Sequence, residues 1–151
     1  MLLLAGLASL AIASAATPPE GLVLRAERAS TPIVLDGRLE EPAWQEAPVA
    51  GGFLQRDPNQ GEPATEPTEL RLLFDDKALY VGARLTDGMA DRIVRQLSRR
   101  DAVAEADTFT LYLDPHPDRQ TGVVLQVSAA GVQRDAALYD DNFEDDTWDA
   151  V

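Results

Sequence analysis

The stretch Glu69-Leu70-Arg71-Leu72-Leu73-Phe74-Asp75-Asp76-Lys77-Ala78-Leu79-Tyr80-Val81-Gly82-Ala83-Arg84-Leu85 decides the fold class. Successive side chains of a strand point to opposite faces. In the first half, Leu70, Leu72 and Phe74 therefore share one face, while Glu69 and Arg71 take the other. Asp75-Asp76-Lys77 has the composition of a turn. The second half alternates again, with Leu79, Val81, Ala83 and Leu85 on one face and Tyr80, Gly82 and Arg84 on the other. Two runs of period two around a polar turn predict a β-hairpin.

The same period recurs on both sides. Residues 107–114 predict a strand with Phe109, Leu111 and Leu113 inward and Thr108, Thr110, Tyr112 and Asp114 outward. Pro115 and Pro117 end it, since proline cannot continue a ladder. Residues 121–129 predict the next strand, with Val123, Leu125 and Val127 on one face; Gly131 turns the chain into another at 132–139. Upstream, 22–27 and 33–35 read as short strands, the second closed by Asp36-Gly37. Helix is confined to one turn within 39–47, where Pro42 suits the first position, and a second within 91–97. The proline-rich stretch 56–67 reads as an exposed connection. The expected fold is all-β, an antiparallel sandwich with one or two short helical turns.

At the N-terminus, Met1 to Ile12 is an apolar run without charge, followed by Ala13-Ser14-Ala15-Ala16. Small residues after a short apolar core mark a secretory signal peptide over 1–16, cleaved near Ala15-Ala16, although no Lys or Arg precedes the core. The run is shorter than the roughly 20 residues a membrane span needs, and direct membrane insertion by this segment is not expected. Residues 17–32 then form a leader and first short strand, and 33–151 the sandwich. At the other end, Trp148-Asp149-Ala150-Val151 reads as the start of a further strand, so the sandwich is expected to be incomplete there. An exported protein of the periplasm or cell envelope, outer-membrane associated, is the expectation. The formal net charge of −13 disfavours nucleic acid and anionic lipid as partners. The absence of cysteine removes disulfides, thiolate nucleophiles and thiolate metal sites.

Catalytic patterns are missing. There is no Gly-x-Ser-x-Gly elbow, glycine-rich phosphate loop or His-Glu-x-x-His pair. Asp107 and Asp114 bracket a strand, but their odd spacing sends them to opposite faces, which does not suit a glycosidase pair. The acidic segment near the C-terminus offers Asp140, Asn142, Glu144 and Asp146 in alternation, a candidate calcium set without the glycine and distal glutamate of an EF-hand. No other cofactor is implied, and haem ligation by Met89 and His116 is a remote alternative. Aromatic rings can cover the apolar face of a sugar while polar neighbours reach its hydroxyls. Trp44 reads as core, and Trp148, in its polar setting, as the platform candidate. Arg99, Arg100 and Arg134 can pair with hydroxyls or carboxylates, with salt bridging the more ordinary role.

Three ordered motifs, Ile33-Val34-Leu35-Asp36-Gly37-Arg38-Leu39-Glu40-Glu41-Pro42-Ala43-Trp44, Leu73 to Leu85, and Asp107-Thr108-Phe109-Thr110-Leu111-Tyr112-Leu113-Asp114-Pro115, resemble the family 9 carbohydrate-binding module. The likeness is closest to the version that begins large bacterial envelope proteins, and Val127 to Asp135 and Asp146 to Val151 fit the same group. The resemblance implies a jelly-roll-like β-sandwich that binds polysaccharide or oligosaccharide, with calcium as a structural ion. It implies sugar contacts at Trp148, Gln126 and Arg99. The implied function is non-catalytic targeting of a larger polypeptide to glycans, with the C-terminal region of the full-length chain as a partner. Two alternatives stand beside it: part of a glycoside hydrolase in carbohydrate catabolism, or a structural periplasmic domain of an outer-membrane protein without a sugar site.

Overall fold

The computed structural model describes residues 23–102, 105–115, 120–140 and 143–150. The fold is all-β, with strands in two sheets as an all-β sandwich requires, and helix is almost absent. The chain divides into two compact units, one containing Thr68–Arg84 and the residues up to Ala64, the other Thr65–Pro67 and the residues from Leu85.

The first unit is built on strands β1 (Glu27–Arg28), β2 (Thr68–Phe74) and β3 (Leu79–Leu85), in that order across the sheet. This sheet is mixed rather than antiparallel, because β1 runs parallel to β2 with Glu27 opposite Leu73 and Arg28 opposite Phe74. The β2–β3 hairpin stands where the alternation placed it. Its turn is organised by Asp75, whose Oδ1 accepts the N–H groups of Lys77 (2.7 Å) and Ala78 (2.9 Å). The Tyr80 hydroxyl donates to Oδ2 at 2.9 Å. These donors, the Lys77 N–H first, hold the Asp75 carboxyl below its ordinary pKa, and the same contact raises that of Tyr80.

Helix α1 (Pro42–Glu46) is a single turn. Pro42 starts it because a missing N–H costs nothing at the first helical position, and the Ala47 N–H closes it on the Ala43 carbonyl at 3.1 Å. Ala43, Trp44 and Ala47 face the same side and are buried. With Leu73 they form the core of this unit, and Ala29, Ile33, Leu39 and Tyr80 pack around it. Trp44 is core, as its setting predicts.

Burial decides which face of the hairpin is inward. Leu73 and Gly82, on the face shared with Glu69, Arg71, Tyr80 and Arg84, are buried, whereas Leu79 and Leu85 are about half exposed. Leu72 and Leu73 are adjacent, so each face of β2 carries a leucine and alternation alone leaves the side undecided. Gly82 supplies the reason for the choice. A Cβ there would lie 2.8 Å from Trp44 Cζ3 and 2.9 Å from Leu39 Cδ2, so the indole occupies the room a side chain would need. Gly82→Ala is accordingly expected to cost about 1–3 kcal/mol through overpacking, read as a lower urea midpoint. An unchanged midpoint would mean that Trp44 yields freely.

Three local readings change. Within the expected 22–27 strand, the described residues 23–26 are not in a strand, and β1 covers only Glu27–Arg28. The 33–35 segment is not a strand, since Val34 and Leu35 are exposed and the Val34 N–H donates to the Glu41 carboxylate at 2.8 Å. Its closing Asp36-Gly37 turn is present, with Gly37 at φ +78°. The 91–97 helix reduces to a 3-10 turn at Ala90–Arg92. Beyond it, the Val94 N–H donates to the Asp107 carboxylate at 3.0 Å and the Val94 carbonyl accepts the Asp107 N–H at 3.0 Å. This paired tie replaces the helical ladder.

The second unit holds strands β4 (Thr108–Leu113), β5 (Gly122–Ser128), β6 (Gln133–Tyr139) and β7 (Phe143–Asp145), sequential and antiparallel throughout. Gly131, at φ +79°, turns the chain between β5 and β6. The Ser128 hydroxyl oxygen accepts the Ala130 and Val132 N–H groups there. Strand β7 lies inside the acidic segment and carries no period-two signal. It is seated by pairing with β6 and by the Tyr139 ring stacked on Phe143 at 5.6 Å. On β4 the residues expected inward, Phe109, Leu111 and Leu113, are half-buried while Thr108 and Tyr112 are exposed, but further into the sheet burial is deepest on the other face. Val124 and Ala136 are fully buried on the face that bears Thr110 and Tyr112, while Leu125 and Val127, paired with Leu111 and Phe109, remain partly exposed.

Candidate functional site

Strand β7 pairs only with Ala137–Tyr139, so the first half of β6 has no strand on that edge. The turn around Asp101 fills the place. Its N–H donates to the Gln133 carbonyl at 3.1 Å, and its Oδ1 accepts the Asp135 N–H at 3.3 Å. Asp101 adopts φ +61°, a left-handed conformation that aspartate tolerates better than most residues.

Asp135 is the buried charged residue of the described chain, at 4% exposure. Arg100 Nη2 donates to Asp135 Oδ1 (3.1 Å) and Oδ2 (3.2 Å) and to Asp149 Oδ1 (2.9 Å). The Ala150 N–H donates to Asp135 Oδ2 at 2.5 Å. That N–H first, then the guanidinium, holds the Asp135 carboxyl below the ordinary carboxylate range against the opposing effect of burial. Arg100 is in turn held protonated chiefly by Asp135. A buried carboxylate is tolerated only when its lone pairs are met in this way.

Beside this cluster lies an open cleft of about 310 Å³. Leu97, Ser98 and Arg100 form one wall, and the turn residues 130–133 form the other. Apolar surface from Leu97 and Val132 alternates with polar groups from Ser98, Arg100 and Gln133. The guanidinium is already bonded to carboxylates, so the cleft offers hydrogen-bonding groups without a free positive charge from Arg100.

The residues implied for sugar contact separate into two places. Arg99 is exposed and adjoins Arg100, while Trp148, half-buried, adjoins Asp149. The Arg100–Asp149 ion pair thus brings their two segments to one corner beside the cleft. Asp145 shapes the approach to Trp148 by accepting both the N–H (2.9 Å) and the hydroxyl (2.6 Å) of Thr147. Gln126 lies elsewhere, on the opposite face from Asp135. It pairs in register with Thr110 and Arg134 and donates to the Thr110 hydroxyl at 2.8 Å.

Among the calcium candidates, Glu144 and Asp146 both accept from the Arg134 guanidinium, the latter at 2.7 Å. Arg134 is largely buried, and its pKa is raised chiefly by Glu144. Asp140 sits at a turn with φ +48°, and Asn142 lies outside the described residues, as does His116. Among the described residues, no group of three or more acidic, histidine or cysteine side chains is placed to hold a metal. Glu144 and Asp146 thus form an arginine-paired cluster on Arg134. Met89, the other haem candidate, is half-exposed before the 3-10 turn. No helix among the described residues is long and apolar enough to cross a membrane.

Sequence reasoning placed Arg100 and Arg134 as salt-bridging residues, and each pairs with carboxylates here. It missed Asp135 as a centre. The available signal was one aspartate set against Ala136, Ala137 and Leu138 in a strand, where a charge needs a dedicated partner. Comparison with protein-family profiles, curated proteins and solved structures finds no match to this chain.

Proposed function

We propose that this chain is a non-catalytic glycan-binding domain of an exported protein, with its ligand at the cleft between residues 97–100 and the 130–133 turn. The observation that carries the reading is the lining of that cleft. Leu97 and Val132 suit the C–H surface of a sugar ring, Ser98 and Gln133 suit its hydroxyls, and Arg100 is neutralised by Asp135 and Asp149. The volume of about 310 Å³ lies at the lower end of the small-molecule range, roughly 300–1,000 Å³. Arg99 and Trp148 adjoin in sequence Arg100 and Asp149, whose ion pair stands at the cleft wall. The likeness of the 33–44, 73–85 and 107–115 motifs to family 9 carbohydrate-binding modules supports the same ligand class, and the apolar leader supports export to the periplasm or cell envelope.

The experiment is affinity electrophoresis and calorimetry of the purified chain with xylan, mixed-linkage β-glucan and their oligosaccharides. Binding to at least one is expected, with Trp148→Ala and Arg99→Ala each weakening it about fivefold or more, roughly 1 kcal/mol. A correctly folded chain that retards on none of these glycans would overturn the reading and leave a structural role.

A further inference from the structure

We propose that residues 146–150 act as a strap that regulates the cleft: the strap and the 98–102 turn dock and release together as one cooperative unit around Asp135. The inference rests on the cleft being the binding site only for its ligand arm; the cooperative unit stands on geometry alone. Both segments hold the same strand through the same carboxylate neighbourhood. From the strap, the Ala150 N–H reaches Asp135 Oδ2 and the Asp149 carboxylate takes Arg100 Nη2. From the turn, Arg100 reaches both Asp135 oxygens, Asp101 takes the Asp135 N–H, and the Asp101 N–H reaches the Gln133 carbonyl.

Arg100 is the shared part. It lines the cleft and is also the side chain on which the strap closes. Release of the strap exposes Asp135 to water, and the higher dielectric there weakens its pairing with Arg100. The guanidinium then leaves its position in the cleft wall. The converse follows by linkage, since a ligand that needs Arg100 in place favours the docked strap by the same factor.

Hydrogen exchange measured by mass spectrometry tests this on the whole chain. The Ala150 and Asp101 amides report the strap and the turn, with the β4 and β5 amides as controls. In the native protein the two reporters are expected to exchange with one rate. Asp149→Asn, an exposed position whose loss spares the core, is expected to accelerate both by about tenfold and to leave β4 and β5 unchanged. Acceleration of the Ala150 amide alone, with the Asp101 amide still at its native rate, would overturn the unit. For the ligand arm, a xylo-oligosaccharide that binds is expected to slow both amides, and Asp149→Asn to weaken that sugar several-fold. A sugar that binds tightly yet leaves the Ala150 amide unaffected refutes the regulation and spares the binding reading. Absence of all sugar binding refutes the binding reading, while the exchange rates still decide the cooperative unit.

Discussion

Trp44→Ala is expected to destabilise the protein by about 3–5 kcal/mol, the cost of emptying an aromatic site in a packed core. Against total stabilities of about 5–15 kcal/mol, that loss leaves the first unit near its folding threshold at 25 °C. The argument follows from how much of the core is this one ring. Trp44 is 3% exposed, the other buried residues of its cluster are two alanines and Leu73, and Gly82 has been left without a side chain to admit it. Small neighbours cannot collapse into the space, so most of the cavity would remain. Chemical denaturation followed by circular dichroism measures the loss. Trp44→Phe is the informative companion, because it keeps much of the ring and removes a buried indole N–H that has no acceptor among the described residues. It is expected to cost well under the alanine value. Equal losses in the two variants would show that the indole is not the packing element.

The second large effect belongs to Asp135. Asp135→Ala strips the Ala150 N–H and Arg100 of their common acceptor, and a lower Tm by roughly 5–10 °C is expected. Arg100 retains contact with water and with Asp149, which keeps the penalty below that of a fully enclosed pair. The pH dependence has a definite sign. The carboxyls of Asp135, Asp75 and Asp145 all have pKa values lowered by folding, so the unfolded chain binds their protons first. Their contribution is present above the unfolded value of about 3.9 and is lost as the pH falls through the folded values. Tm is therefore expected to hold as the pH drops from 7 to about 5 and to fall steeply below about 4. Asp135→Asn should flatten part of that acid limb. A limb as steep as in the native protein would mean that this carboxyl does not drive it.

Legibility in the sequence followed the range of each interaction. The hairpin was visible because alternation and the Asp75 turn both act within a few residues of chain. Trp44 was visible as core because its own neighbours, Pro42 and Ala43, define a buried turn of helix. Strand β7 was not visible, since an acidic segment becomes a strand only when Arg134 and Tyr139 stand opposite it. The site was partly legible. Arg100 and Arg134 carried a recognisable pairing chemistry, but the sequence separation of 35 between Arg100 and Asp135 hid which carboxylate each would meet.

By itself, the sequence determined that this chain is built of strands, where most of them begin and turn, and that it is acidic and free of cysteine. Those properties depend on local backbone preference and on composition. Only the tertiary structure decided which face of β2 and of β5 is buried, because Leu72 and Leu73, or Val123 and Val124, offer an apolar residue to either side. The choice fell to the partner with the matching shape, as Gly82 shows beneath Trp44. Tertiary structure likewise turned Asp135 from one acid among many into the buried acceptor that ties Arg100 to the 146–150 strap, since a carboxylate acquires that role only when distant donors converge on it.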